Sequence, residues 1–131
     1  MRATKMAVAL AWAAGAMDLA TGLGLVGLPA WTLTAMRVPV PGAEALVFVR
    51  FVGAFVGAVG ATYLWAARRP AERLRIVFLA TMWFRGSAAG YVAAAVLAGW
   101  LTSGWVTVSA TDGALVAAQA WLLAKGAGRR E

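Results

Sequence analysis

The chain has no cysteine and no histidine. Without thiols there is no disulfide and no thiolate metal site, and without imidazole there is no His-ligated haem and no Ser-His-Asp hydrolase built from this chain alone. Acidic residues are scarce too, five against twelve Lys and Arg in a chain that is only 13% charged. Two of them, Asp18 and Asp112, fall inside apolar stretches far apart in the sequence. Without His or further acids beside them they make a poor ligand set for a metal ion. Proline occupies just four positions, Pro29, Pro39, Pro41 and Pro70, so the breaks it imposes are confined to two short regions.

What is present in excess is apolar surface. Of 131 residues, 63% are hydrophobic, well above the usage of about 45 to 50% in soluble domains. Such a composition belongs in lipid. The length fits a single domain, residues 1–131, with room for about four helices of about 20 residues, the number that crosses a hydrocarbon core of about 30 Å. The spans read as 7–26, 45–66, 76–97 and 106–123. The expected fold class is therefore all-α, an integral membrane four-helix transmembrane bundle with both termini inside.

The first of these segments also resembles a signal peptide, because Arg2 and Lys5 precede Met6 to Ala14, and Ala14-Gly15-Ala16 looks like a small-residue cleavage site. Its apolar character runs on past Asp18 to Pro29, so it is expected to be retained as a span. Between the first two spans, Pro29 to Val38 has the makings of a short interfacial helix that offers Trp31, Leu33 and Met36 to the membrane. Glu44 suits the positive end of the second span, and Arg68-Arg69-Pro70 is expected to stop it.

A net charge of +7 raises the question of nucleic acid, and the positions of the cations answer it in the negative. Arg2, Lys5, Arg68, Arg69, Arg73, Arg75, Lys125, Arg129 and Arg130 fall in the tails and one short connection, on the side that four spans leave in the cytoplasm. Arg37 falls on the outer side, and Arg50 and Arg85 lie within spans. This asymmetry predicts a bacterial-type cytoplasmic (inner) membrane, multi-pass, with membrane lipid as the first partner. The tryptophans agree: Trp31, Trp100 and Trp105 fall at the outer interface, and Trp65 and Trp121 near the inner one.

Four charges remain inside apolar spans: Asp18, Arg50, Arg85 and Asp112. An ionised side chain near the bilayer centre costs about 2.5 to 3.5 kcal/mol on insertion scales, so these are expected to pair. Two acids and two bases would make a neutral set, which favours an ion-pair network that fixes the inward helix faces. Two other readings stand beside it: a polar pocket for an anionic or polar-headed ligand, and a relay in which an aspartate cycles a proton. Gln119 shares the face of Asp112 and reads as interhelical glue, while Trp83 and Tyr91 border any pocket beside Arg85. Small residues at Gly53-xxx-Gly57-xxx-Ala61 and Gly86-xxx-Gly90-xxx-Ala94-xxx-Ala98 allow close helix approach, within the bundle in preference to a homodimer face.

The run Arg50-Phe-Val-Gly53-Ala-Phe-Val-Gly57-Ala-Val-Gly60 resembles the DoxX-like group of small four-helix bacterial membrane proteins, where an Arg introduces a Gly-spaced apolar helix. Phe84-Arg85-Gly86 and Thr111-Asp112-Gly113 are similar to Arg and Asp-Gly elements of its relatives, so the resemblance covers the second to fourth spans. It implies an accessory or anchoring subunit of an oxidoreductase assembly, with a quinone or lipid near Arg50. Redox centres would come from partner subunits, so no autonomous catalytic activity is expected and no catalytic residue is assigned. The alternative is a small proton-coupled transporter working as a homodimer.

Overall fold

The computed structural model describes residues 2–68 and 70–129, with backbone alone at 70–72. Arg69 and Arg130, counted above among the inner cations, and Glu131 lie outside the described residues, as does the side chain of Glu72. All regular structure among the described residues is helical: α1 (Arg2–Gly27), α2 (Pro29–Ala35), α3 (Ala43–Arg68), α4 (Pro70–Leu97) and α5 (Val106–Ala124), with one 3-10 turn, Ser103–Trp105, leading into α5. Four of the helices are long and apolar enough to cross a membrane. Each runs past the expected span, and α2 is the short helix anticipated between the first two.

The helix ends follow from local chemistry. Leu28, at φ −131° and ψ 61°, breaks the chain between α1 and α2, and Pro29 opens α2 where its missing N–H costs nothing. At the far end of α2, Arg37 takes a left-handed φ of 59°. That lets the N–H of Val38 reach the Leu33 carbonyl at 2.9 Å and the N–H of Arg37 reach that of Thr34 at 3.0 Å. This is a Schellman closure, with Leu33 and Val38 buried against each other as it requires. Gly99, at φ 76°, ends α4 in the same way, with Trp100 N–H on the Ala95 carbonyl at 2.8 Å.

The long helices alternate in direction and follow the ring order α1, α3, α4, α5, with α1 and α5 closing it. The tightest seam lies between α1 and α3, and its cause is glycine. A Cβ at Gly60 would stand 2.5 Å from Leu19 N and 2.8 Å from Gly15 O, one at Gly53 would stand 2.6 Å from Leu25 Cβ, and one at Gly22 would run into the backbone of Gly57. No side chain fits at such a crossing, so the two backbones lie almost in contact and gain dispersion energy that Ala or larger residues would forfeit. The Gly53 and Gly57 stripe thus packs within the chain, with Gly60 in place of Ala61. Gly86 and Gly90 on α4 behave otherwise, since a Cβ on either would meet nothing within 4 Å. The expected internal packing of that second stripe is therefore corrected: its glycines face outward.

Two apolar clusters fill the interior. The larger joins Ala7, Ala11 and Ala14 of α1 to Tyr63, Ala66 and Ala67 of α3, Leu74, Val77 and Phe78 of α4, and Leu122, Leu123 and Ala127 at the end of α5. It gathers the start of α1, the end of α3, the start of α4 and the end of α5 at one end of the bundle. The smaller cluster, Leu25, Leu33 and Val38 with Met36, Leu46, Val49 and Trp105 against it, closes the opposite end beneath α2. Leu33 therefore faces the protein, whereas Trp31 is exposed as expected of an interfacial residue. Between the two clusters lies a polar layer.

A three-charge cluster and its tyrosine hub

Each long helix places at least one polar group in this layer. On α1 the buried positions Ala7, Ala11, Ala14, Gly15, Asp18, Gly22 and Leu25 recur at helical spacing, so Asp18 is carried inward by the same face that makes the glycine seam. On α4 the buried residues Phe78, Thr81 and Arg85 form one stripe at the same spacing. On α3 Tyr63 lies one turn beyond Gly60, and on α5 Asp112 and Gln119 share a face, as read from their spacing.

Arg85 joins them. Its Nη1 donates to Asp112 Oδ1 at 2.6 Å, its Nη2 donates to Asp18 Oδ2, and its Nε donates to Tyr63 Oη at 3.0 Å. Both carboxylates are thus held by one guanidinium, one on each terminal nitrogen, in charge-assisted hydrogen bonds of the strong class. The Arg85 and Asp18 side chains are 7% and 8% exposed, and Asp112 is the more open at 17%. Above the cluster, Ser109 Oγ donates to the Ala89 carbonyl at 2.9 Å and ties α5 to α4.

Tyr63 is the hub on the side of Arg85 that faces the larger apolar cluster. Its hydroxyl accepts from Arg85 Nε and from Gln119 Nε2 and donates to Thr81 Oγ1 at 2.8 Å; Thr81 in turn donates to the Val77 carbonyl at 2.7 Å. Tyr63 is fully buried, its ring edge-on to Phe78 with centroids 6.1 Å apart. Gln119 is equally buried and spends both contacts on its amide nitrogen, so its Oε1 accepts no hydrogen bond among the described residues. Turning the amide over would only exchange which end lacks a partner.

Asp18, Arg85, Asp112 and Gln119 of the expected set therefore come together, and Arg50 does not. The seam between α1 and α3 decides this. Gly60 lies beside Leu19 and Gly53 beside Leu25, so the antiparallel register puts Arg50 level with the end of α1, about 12 Å along the axis from Asp18. Arg50 instead donates through Nη1 to the Val26 carbonyl, with the Gly27 carbonyl 3.5 Å away. There a cation meets the negative end of the α1 dipole and a carbonyl with no partner in the helix. The expected pairing of Arg50 with an aspartate is corrected accordingly.

Trp83 and Tyr91 are likewise not walls of this cluster, being 80% and 66% exposed. Two residues along a helix turn the side chain by about 200°, so a Trp at 83 must point away from whatever Arg85 faces. From its sequence position Tyr63 is compatible with an interface or with an interhelical hydrogen bond, and the structure gives it the second role. Thr81 is the member that sequence reading missed, since it gives no signal beyond standing one turn before Arg85. Among the described residues no three or more His, Cys, Asp and Glu side chains come together as a metal-binding group.

Comparison with protein families, with curated proteins and with solved structures finds no match for this chain.

Proposed function

We propose that this chain is a polytopic protein of a bacterial-type cytoplasmic membrane, with both termini inside, and that it acts as an accessory or ligand-binding subunit rather than as an autonomous enzyme. The observation that carries this reading is the polar layer itself: three charges from three helices, with a fourth helix supplying Tyr63, buried between two apolar clusters of a bundle with four potential spans. Charged groups in such a place are costly unless they serve packing specificity or a ligand. The partial exposure of Asp112 leaves one side of the layer approachable.

The orientation is supported by the cations. Arg2, Lys5, Arg68, Arg73, Arg75, Lys125 and Arg129 are at the end of the bundle that holds the larger apolar cluster, and Arg37 is at the other. That distribution fits a cytoplasmic face for the first end. Arg73 stacks 4.2 Å over the Trp65 ring there, a cation–π pair suited to an interface.

The DoxX-like resemblance supports the accessory reading, with a quinone or lipid as ligand and redox-complex subunits as partners. Its proposed position for the ligand, near Arg50, is the weaker half, because that guanidinium is engaged by the end of α1. The layer around Arg85 is the better site. Purification in a mild detergent, followed by mass spectrometry of whatever remains bound, tests the reading. A stoichiometric redox subunit, quinone or lipid supports it; a chain that purifies alone and free of small molecules counts against it.

A second reading, a small proton-coupled transporter working as a homodimer, is favoured by the placement of two carboxylates on one guanidinium. Proteoliposomes carrying a pH-sensitive dye separate the two. Substrate-dependent proton flux that disappears in both Asp18→Asn and Asp112→Asn supports transport, and its absence from the parent protein leaves the accessory reading standing.

A further inference from the structure

The polar layer is short of positive charge. Arg85 is its only cation, Asp18 and Asp112 are its carboxylates, and Tyr63 is neutral. These are the titratable and charged groups that α1, α3, α4 and α5 direct to this level among the described residues. The neutral set expected from sequence needed Arg50, and Arg50 is engaged elsewhere. If both carboxylates are ionised, one negative charge is left over in a slab between two apolar clusters, where an uncompensated ion is far costlier than a paired one. That deficit calls for a small positive group held by the carboxylates.

We infer that the Asp18–Arg85–Asp112 cluster holds one small monovalent cation in addition to Arg85, bound on the Asp112 side. The proton is its simplest form; a sodium ion or a small ammonium or guanidinium compound has the same chemistry. The geometry sets the side. Arg85 covers one oxygen of each carboxylate, Asp18 is the more enclosed, and Asp112 is the more exposed. A divalent ion does not fit, because two carboxylates already shared with Arg85 leave too little charge and too few ligands for it. The inference deepens the ligand-binding reading and rests on the chain lying in a membrane.

The test uses the full chain in nanodiscs at neutral pH, with Asp18→Asn and Asp112→Asn beside it. Infrared spectroscopy reads the carbonyl stretch of a protonated carboxylic acid, and the thermal midpoint is followed in sodium, methylammonium or guanidinium at constant ionic strength. If the cation is a proton, the parent shows the acid band, and an Asn variant removes it. If it is a metal or organic cation, the acid band is missing and the parent's midpoint rises with one of these cations, a rise lost in Asp112→Asn. A parent with neither the band nor a cation-dependent midpoint overturns the inference. That outcome leaves the accessory reading intact, because the co-purification test does not depend on it; membrane placement is tested separately by topology labelling.

Discussion

Arg85 Nε and Tyr63 Oη lie 3.0 Å apart, and this contact links the charged half of the polar layer to its uncharged half. On one side the guanidinium holds Asp18 and Asp112; on the other the phenol collects Gln119 and Thr81. Every long helix contributes to the network, so the layer fixes which face of each helix points inward.

Removing the hub leaves its neighbours buried and short of partners. Tyr63→Phe keeps the ring against Phe78 but strips an acceptor from Arg85 and Gln119 and a donor from Thr81. A buried group left unsatisfied costs about 1 to 3 kcal/mol, so thermal unfolding in detergent should show a loss of that order. Gln119→Met should cost less, because it also removes the one amide oxygen that has no partner. A Tyr63→Phe chain as stable as the parent would show that the hub does not hold the layer together.

Arg50 and Arg85 should respond very differently. Arg85→Met leaves two carboxylates together without a cation, and breaking a buried pair from one side costs about 3 to 5 kcal/mol. Arg50→Met removes a helix-end interaction, which is worth up to about 1 kcal/mol. Expression level and unfolding midpoint of the two variants, measured side by side, check the order; equal losses would contradict the geometry described for Arg50.

Glycine substitutions should divide by helix. At Gly60 a methyl group would stand 2.5 Å from Leu19 N, which neither backbone can relieve without separating α1 from α3. Gly60→Ala is therefore expected to destabilise by about 1 to 3 kcal/mol, the range for overpacked sites. Gly86→Ala and Gly90→Ala meet open space and should be neutral in detergent, or slightly stabilising through helix propensity. If Gly90→Ala instead changes the molecular mass seen by light scattering, that face of α4 contacts another copy.

Topology can be read directly because the chain has no native cysteine. With single cysteines at Lys5, Thr102 and Lys125, a membrane-impermeant maleimide applied to intact cells should label Thr102→Cys alone. The other two should react after the membrane is opened. Labelling of Lys5→Cys from outside would reverse the orientation argued from the positive residues.

The architecture was legible in composition and spacing. Long apolar runs and a few prolines were enough to point to four long helices, because a helix satisfies its backbone hydrogen bonds within one apolar segment. The inward face of α5 was legible too, since Gln119 recurs with Asp112 at helical spacing. That the spans carry charges needing partners was plain from the same rows of residues.

Which charges meet was settled only by the tertiary structure. Helical spacing fixes the angle of a side chain about its own axis but not the axial register of one helix against another, and Arg50 shows the difference. Glycine contacts at Gly22, Gly53 and Gly60 lock α1 and α3 in a register that carries Arg50 to the end of α1 and brings Tyr63 toward Arg85. The seemingly neutral quartet thereby becomes a triad with one cation, because register rather than composition decides which ions share the low-dielectric interior.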